Sequence, residues 1–508
     1  MKNTAANLLI AASALALGGC MVGPDYVAPT SEIAKEELGK EHFFRDDGLW
    51  KEAVPAESLP KGEWWKIFAD PTLDKLLEQC SENSPTLSAA FYRVEQARQN
   101  ARIDAAAFYP QGNGKASFAR TGYSRNIETG YTQTDRWTVG LGMTWDLDLF
   151  GRIRSIINAD VADAEASYDA YNSLMLTMHA QVAKQYFTIR QFCSEIELLE
   201  RTLEVRKEQT ELISNRVKLD FASDLDLQRA VQQEAEAAAQ LAAVRRAMAI
   251  AKNNIAILVG TTPSKLVLPD APLGENLPKL PKAVPSELLE RRPDIAAAER
   301  KVYAANARIG AAQAGFFPTV SISANTDLQA NKIDKLLNSS SFAWGVSPQI
   351  YIPIFQAGRV YAQKQVALAA HKETLENYKA AVLSAIGEVE NAMSQINNLR
   401  IEYKRRMDVT KASNKVFELT RKQYDLGFVD YFSVSDASRN ALLNEREQIS
   451  LRGDRFRACV DFIAAIGGGW QTDAESVENG DIKPAMYESA NLDPKNPGAW
   501  KNSGSSEE

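Results

Sequence analysis

Two periodicities of apolar positions alternate along the chain. From Arg136 to Leu149 the odd positions are Trp137, Val139, Leu141, Met143, Trp145, Leu147 and Leu149, whereas the even ones are Thr138, Gly140, Gly142, Thr144, Asp146 and Asp148. A period of two predicts a strand with one apolar and one polar face. Phe342, Trp344, Val346, Pro348, Ile350, Ile352 and Ile354 repeat the pattern against Ser341, Ala343, Gly345, Ser347, Gln349 and Tyr351. Weaker partner strands are expected around Lys115 to Tyr123 and Thr319 to Asp327, giving strand pairs over 115–149 and 319–355. The second periodicity is seven. Val161, Tyr168, Met175, Val182, Ile189, Ile196 and Leu203 form one series, and Leu368, Leu375, Val382, Val389, Ile396 and Tyr403 another. A sustained repeat of 3.5 residues per turn predicts left-handed coiled-coil seams.

Neither Gly nor Pro occurs from Arg152 to Val259, and from Arg359 to Leu426 only Gly387 does. Long helices are therefore expected over 152–219 and 359–426, each about 100 Å at ~1.5 Å per residue. Nineteen charged residues on the first place it in water. Phe221-Ala-Ser-Asp and Phe428-Val-Asp-Tyr interrupt the pattern at matched places, and return helices are expected over 223–260 and 432–467. A soluble antiparallel coiled coil would account for these helices equally well.

The two series belong to a tandem repeat. Pro85 to Pro110 lies without a gap over Pro293 to Pro318 at an offset of 208. At 207, Trp137, Gly151, Arg152, Leu219 and Phe221 meet Trp344, Gly358, Arg359, Leu426 and Phe428. Repeats are thus expected over 61–262 and 293–470, separated by a proline-rich linker, 263–292, because proline cannot continue a helix. The polar stretch 471–508 reads as a disordered tail.

The N-terminus changes the picture. Residues 1–19 place Lys2 before an apolar stretch, Leu8 to Leu17, long enough for secretion but short for a permanent span. Leu17-Gly18-Gly19-Cys20 resembles a bacterial lipobox, which implies that Cys20 is acylated and leads a lipidated segment, 20–60. A plain signal peptide cleaved near Ala16 is the alternative. Met21, where Asp would resemble inner-membrane retention, favours the outer membrane. Several acyl chains make a stable anchor.

Composition excludes other classes. No later run of about 18 uncharged apolar residues marks a transmembrane helix. With 58 Lys+Arg against 65 Asp+Glu and a net charge of -7, there is no basic footprint for nucleic acid. His42, His179 and His371 occupy unrelated repeat positions, the cysteines lack metal spacing, and Gly112-Asn-Gly114-Lys115 is not a complete phosphate loop. No catalytic site, metal or cofactor is expected. In an oxidising compartment Cys80, Cys193 and Cys459 read as buried free thiols.

The strands then decide the class. Apolar-out, polar-in segments of ~9 to 11 residues with aromatic ends suit a transmembrane barrel; half-buried soluble hairpins are the alternative. Four strands cannot close, and an open edge in hydrocarbon leaves backbone groups unpaired. Four strands per chain give eight from a dimer or twelve from a trimer; eight make a barrel filled by side chains, so a conducting lumen favours three chains or more. The reading is an α+β membrane protein, a tandem-repeat β-barrel of twelve strands shared by a trimer, continued by a long α-helical barrel.

These features together resemble the TolC-like outer membrane factors, in particular the NodT-type lipoprotein branch that serves RND efflux pumps. The residues that carry the resemblance are Cys20-Met-Val-Gly-Pro-Asp-Tyr, the strand entries Pro110 and Pro318, Gly358-Arg359, and Tyr424-Asp-Leu-Gly-Phe-Val-Asp-Tyr-Phe-Ser-Val-Ser-Asp436. It covers roughly residues 60 to 470 plus the lipobox. It implies a homotrimeric exit duct in the outer membrane lipid, with a periplasmic adaptor and an inner-membrane RND transporter at the tunnel's far end. It also implies a periplasmic gate near 220–229 and 427–439: an acidic ring at Asp436, an apolar ring at Phe432, Arg439 one turn on, and a link between Asp226 and Tyr424 that could be a hydrogen bond. An Asp436–Arg439 pair within one helix is the alternative role for that carboxylate. A disulfide between Cys80 and Cys459 would be compatible with this fold. Where the second tip has Gly427 the first has Asp220, and Asp also tolerates a turn. A type I (ABC) secretion duct and a non-conducting periplasmic strut are the rival functions.

Overall fold

The computed structural model describes residues 21–29, 63–122, 133–278 and 292–468. Cys20, His42 and the tail lie outside them. The chain runs through a short 3-10 helix, Trp64–Phe68, then α1 (Pro71–Asn83), α2 (Pro85–Ala106), β1 (Gln111–Gly122), β2 (Gln133–Leu147), α3 (Arg152–Lys218) and α4 (Asp224–Leu258). The second half follows with α5 (Pro293–Ala314), β3 (Thr319–Ala330), β4 (Phe342–Tyr351), α6 (Arg359–Asp425) and α7 (Tyr431–Ala465). The halves match in length. α2 and α5 each have 22 residues, α3 and α6 each 67, and α4 and α7 each 35.

At ~1.5 Å per residue the long helices span about 100 Å and the return helices about half of that. Each long helix therefore has a return helix along its lower part, α4 beside α3 and α7 beside α6. The 22-residue helices occupy the upper part, α2 against α3, and α5 between α3 and α6. All members of both seven-residue series are buried or half-buried, so the seams face neighbouring helices. Where α3 meets α5 the contact is alanine on alanine, with Ala159, Ala162 and Ala304 closely packed. Among the described residues no helix is long and apolar enough to cross a membrane.

The largest core lies at mid-height, where α1, α3, α4 and α7 converge. Phe187 stacks on Phe456 with centroids 4.9 Å apart, and Leu73, Leu77, Val182 and Val460 are fully enclosed around them. The proline-rich segment before residue 278 straps this core from outside: Arg190 donates to the Pro272 carbonyl at 3.0 and 3.2 Å, and the Leu273 amide donates to Ser194 at 2.8 Å. Cys80, Cys193 and Cys459 are free and buried, and burial pushes the Cys80 and Cys459 thiols up to about 11.

The four strands form one antiparallel sheet in the order β1-β2-β3-β4, so each half contributes a hairpin and, among the described residues, neither outer edge is paired. The strand bounds differ from expectation for physical reasons. β1 starts at Gln111, directly after Pro110. β2 ends at Leu147 because Asp148 leaves the ladder to cap α3, accepting from the Ile153 and Arg154 amides at 3.0 and 2.9 Å. β4 stops at Tyr351 although the alternation continues to Ile354, since Pro353 has no N–H to pair.

Register puts Trp137, Val139, Leu141 and Met143 on one face with Leu328, Trp344, Val346 and Ile350. Leu141 is 64% exposed and Trp344 72%, whereas on the other face Thr138 and Asp327 are buried. The apolar face is therefore the outward one. Phe118 packs on Trp137 across the hairpin at 4.5 Å, near the end of the sheet away from the helices.

Residues 21–29 lie where sheet and helices join. The Val22 amide donates to the Phe150 carbonyl at 3.3 Å, Asn306 donates to the Pro24 carbonyl at 3.2 Å, and the Tyr26 hydroxyl donates to Glu299. Gly23 sits so close to Gly310 that a Cβ on it would come 2.9 Å from the Gly310 Cα. Only two glycines let this segment lie flat on α5.

Candidate functional site

The two helical hairpins turn at the same end of the molecule by the same motif. After α3 the Phe221 amide donates to the Arg216 carbonyl at 2.8 Å and the Asp220 amide to Val217 at 3.0 Å; after α6 the Phe428 amide donates to Gln423 at 2.9 Å and Gly427 to Tyr424 at 2.9 Å. This paired 6→1 and 5→2 closure requires a left-handed residue just past the helix end. Gly427 supplies it at φ +79° and Asp220 at φ +58°, so Asp does take the role of glycine at the first tip. Each following helix is capped by an oxygen side chain. Ser223 accepts from the Asp226 amide at 3.2 Å, and Asp430 from the Ser433 hydroxyl at 2.7 Å and the Ser433 amide at 3.0 Å, two bonds that hold the Asp430 carboxyl below its usual range.

A small core joins the tips. Ile213 and Ala230 of the first hairpin enclose Tyr431 and Val434 of the second, with Tyr424 half-buried beside them. The Tyr424 and Tyr431 rings meet edge to face at 5.8 Å. Burial raises the Tyr431 hydroxyl. Higher up, buried Arg206 donates to the Gln233 carbonyl at 2.8 Å, and the Gln233 amide donates to Ser435 across the hairpins.

The expected gate residues fall within this tip, but their contacts differ from expectation. Tyr424 and Asp226 share no hydrogen bond. The Tyr424 hydroxyl accepts from Arg216 at 3.4 Å, with that guanidinium 5.6 Å from the ring centroid. Asp226 instead accepts from Ser223 at 2.7 Å and pairs with Arg229 at 3.6 Å. The reason is reach: Asp226 lies in the first turn of α4 and is held by its own cap, while Arg216 lies in the last turn of α3 and extends to the second hairpin. Phe432 is 54% exposed, with Arg229 over its ring at 5.0 Å. Asp436 accepts from Arg439 at 2.6 Å and from Asn440 at 3.1 Å, so within one chain its carboxylate is occupied by its own helix.

Arg216, Arg229, Gln233 and Ser435 are the cross-hairpin residues that sequence reasoning missed. Nothing in a single sequence marks an arginine and a tyrosine some two hundred residues apart as neighbours. One signal was available for the outer surface of the tip. Leu219 and Phe221 are matched by Leu426 and Phe428 in the repeat, and all four are exposed, Phe221 by 81% and Phe428 by 77%. Two exposed apolar pairs at the end of a helical column form a surface suited to burial by another protein.

Residues 76–261 and 284–468 match the family model described as outer membrane efflux protein. The chain is 32% identical to the solvent efflux pump outer membrane protein SrpC of Pseudomonas putida, across 90% of this chain and 97% of that one. It is 28% identical to the cation efflux system protein CusC of Escherichia coli O6:H1, again across 90% and 97%. Among solved structures it is similar to the outer-membrane channel OprN, with a TM-score of 0.78 and 30% identity, covering 89% of this chain and all of that one.

Proposed function

The chain belongs to the outer membrane efflux protein family and is an outer membrane efflux channel, and we propose that it works as the homotrimeric exit duct of a tripartite RND pump. Three chains, four strands each, share a twelve-stranded barrel; their long helices continue it as a periplasmic tunnel. Substrate is conducted passively, with no chemical step in this chain, and energy comes from an inner-membrane RND transporter reached through a periplasmic adaptor.

The observation that carries the reading is the sheet with its apolar face outward and both edges unpaired, fused to helices about 100 Å long. In hydrocarbon such edges must pair, and three chains pair them symmetrically. The exposed apolar side chains along α6, among them Val366, Leu383 and Ile401, support the same reading because a neighbouring chain would cover them.

Acylated Cys20 holds the segment 21–29 at the base of the barrel. The gate is at the tip, with Asp436, Phe432 and Arg439 converging around the three-fold axis, with Tyr424 in the contact that keeps the hairpins together, and with Asp226 in the cap of α4. Three carboxylates at one level attract cations and repel anions, and an apolar ring can dewet.

A photo-crosslinker placed next to Asp436 in cells, followed by purification of the trimer, tests the whole reading. Capture of an adaptor and an RND transporter is the expected result. An ABC exporter would replace the transporter and make this a type I secretion duct; a non-trimeric protein with no transporter attached would return the periplasmic strut.

A further inference from the structure

On the polar face of the sheet, Lys115 of β1 stands opposite Gly140 of β2, which stands opposite Asp327 of β3. The middle position has no side chain. A Cβ there would come 2.8 Å from the Asp327 Cγ and 2.6 Å from the Thr326 carbonyl oxygen, so the aspartate occupies the space above the glycine. Lys115 reaches across the intervening strand and places its Nζ 3.1 and 3.2 Å from the two carboxylate oxygens. Asn325 donates to the same carboxylate at 2.8 Å. The device recurs nearby, with the Asn113 amide oxygen 2.7 Å from where a Cβ on Gly142 would stand.

The two charges are unequally presented. The Asp327 side chain is 2% exposed and that of Lys115 50%. The anion is recessed into the wall beneath its partner, and the cation faces the water on the polar side. A short polar chain lying on a glycine floor also projects less into a duct than one standing upright.

The geometry points to the Lys115–Gly140–Asp327 row as a charge-setting band of the exit. In the shared barrel, on which this inference rests, three such rows present a ring of ammonium groups, each held close to neutral by its recessed carboxylate. Cargo of either sign meets a weak field there and is neither trapped nor repelled. Asp327 is a positioning residue in this role, acting through Lys115.

The test reads the local potential from outside the cell and is independent of the tip. A reporter, Ser117→Cys, lies on the same face one row away, and the described native cysteines are buried. Its modification rates by an anionic and a cationic membrane-impermeant thiosulfonate are compared in full-length protein. Asp327→Asn leaves the lysines uncompensated and should raise the anionic-to-cationic rate ratio about threefold or more, and Lys115→Gln should lower it by a similar factor. The double variant should return to the starting ratio. A reactive reporter whose ratio moves in neither variant overturns the band but leaves the duct. A reporter as unreactive as Val139→Cys on the apolar face overturns the lumen assignment, and with it the shared barrel. Lys115→Gln changes a half-exposed side chain, so its result stands even if Asp327→Asn does not fold.

Discussion

Arg216, in the last turn of the first long helix, donates to the hydroxyl of Tyr424, in the last turn of the second, and lies 5.6 Å from its ring centroid. One side chain thus links the two hairpins both by a hydrogen bond and by a cation–π contact. At 3.4 Å the hydrogen bond is long, and the ring contact contributes about 0.5–1 kcal/mol at a partly exposed site. Tyr424→Phe, which keeps the ring, should loosen the tip less than Arg216→Ala, which removes both contacts. Asp226→Ala, which affects only contacts within the first hairpin, should do least. Single-channel conductance of the purified trimer measures this order; equal conductance in all three and the wild type would remove the link from the gate.

The two left-handed turn residues should respond differently to substitution. No atom lies within 4 Å of where a Cβ on Gly427 would stand, so Gly427→Ala costs only backbone strain, about 1 kcal/mol per chain. Asp220→Val should cost about 1–2 kcal/mol, because a β-branched residue resists φ +58°. Asp220→Gly should be nearly neutral, since relief of strain is offset by the greater freedom of glycine in the unfolded chain. Denaturant melts of the detergent-solubilised protein check all three.

Close approach of Gly23 and Gly310 predicts how the segment after Cys20 is held. A cysteine pair at Pro24 and Asn306 should cross-link on oxidation, since the native side chain reaches the Pro24 carbonyl at 3.2 Å. Adding Gly310→Val should abolish that cross-link by lifting the segment, as a Cβ at 310 would already stand 3.5 Å from the Gly23 Cα and leave no room for the two methyl groups beyond it. Retained cross-linking would show that the segment is seated by other contacts.

His179, buried against Trp65 and 2.8 Å from the Ser81 hydroxyl, is neutral in the folded protein because burial pushes it down to about 4. The unfolded chain, at about 6.5, binds the proton first, so stability is complete above pH ~6.5 and falls as the pH drops toward 4. The loss approaches about 3 kcal/mol per chain. Replacing His179 with Gln should flatten the dependence of the melting temperature on pH between 7 and 4.5; an unchanged slope would assign it to other groups.

The arrangement of the tip was legible only in part. The family resemblance placed Asp436, Phe432, Arg439, Asp226 and Tyr424 at the tip, and the structure has all five there. It paired Tyr424 with Asp226, whereas the tyrosine bonds Arg216, because matching positions to a family locates a residue along its helix but not the direction of its side chain. Asp436 accepts from Arg439 and Asn440 in one chain; a ring of carboxylates is a property of three chains and has no trace in one.

What the sequence determined by itself are the properties carried by neighbouring positions. Period two and period seven are consequences of backbone geometry, so the strands and both long seams are written in consecutive residues. The duplication is written likewise, and it carried the matched turns at Asp220 and Gly427. Tertiary structure alone decided which distant residues meet: Arg216 with Tyr424, Gly23 with Gly310, and Lys115 with Asp327 above the empty side-chain position of Gly140. Those contacts depend on sheet register and on the axial offset of long helices. Both are set by summing many weak interactions over whole elements, and no local stretch of the chain records the result.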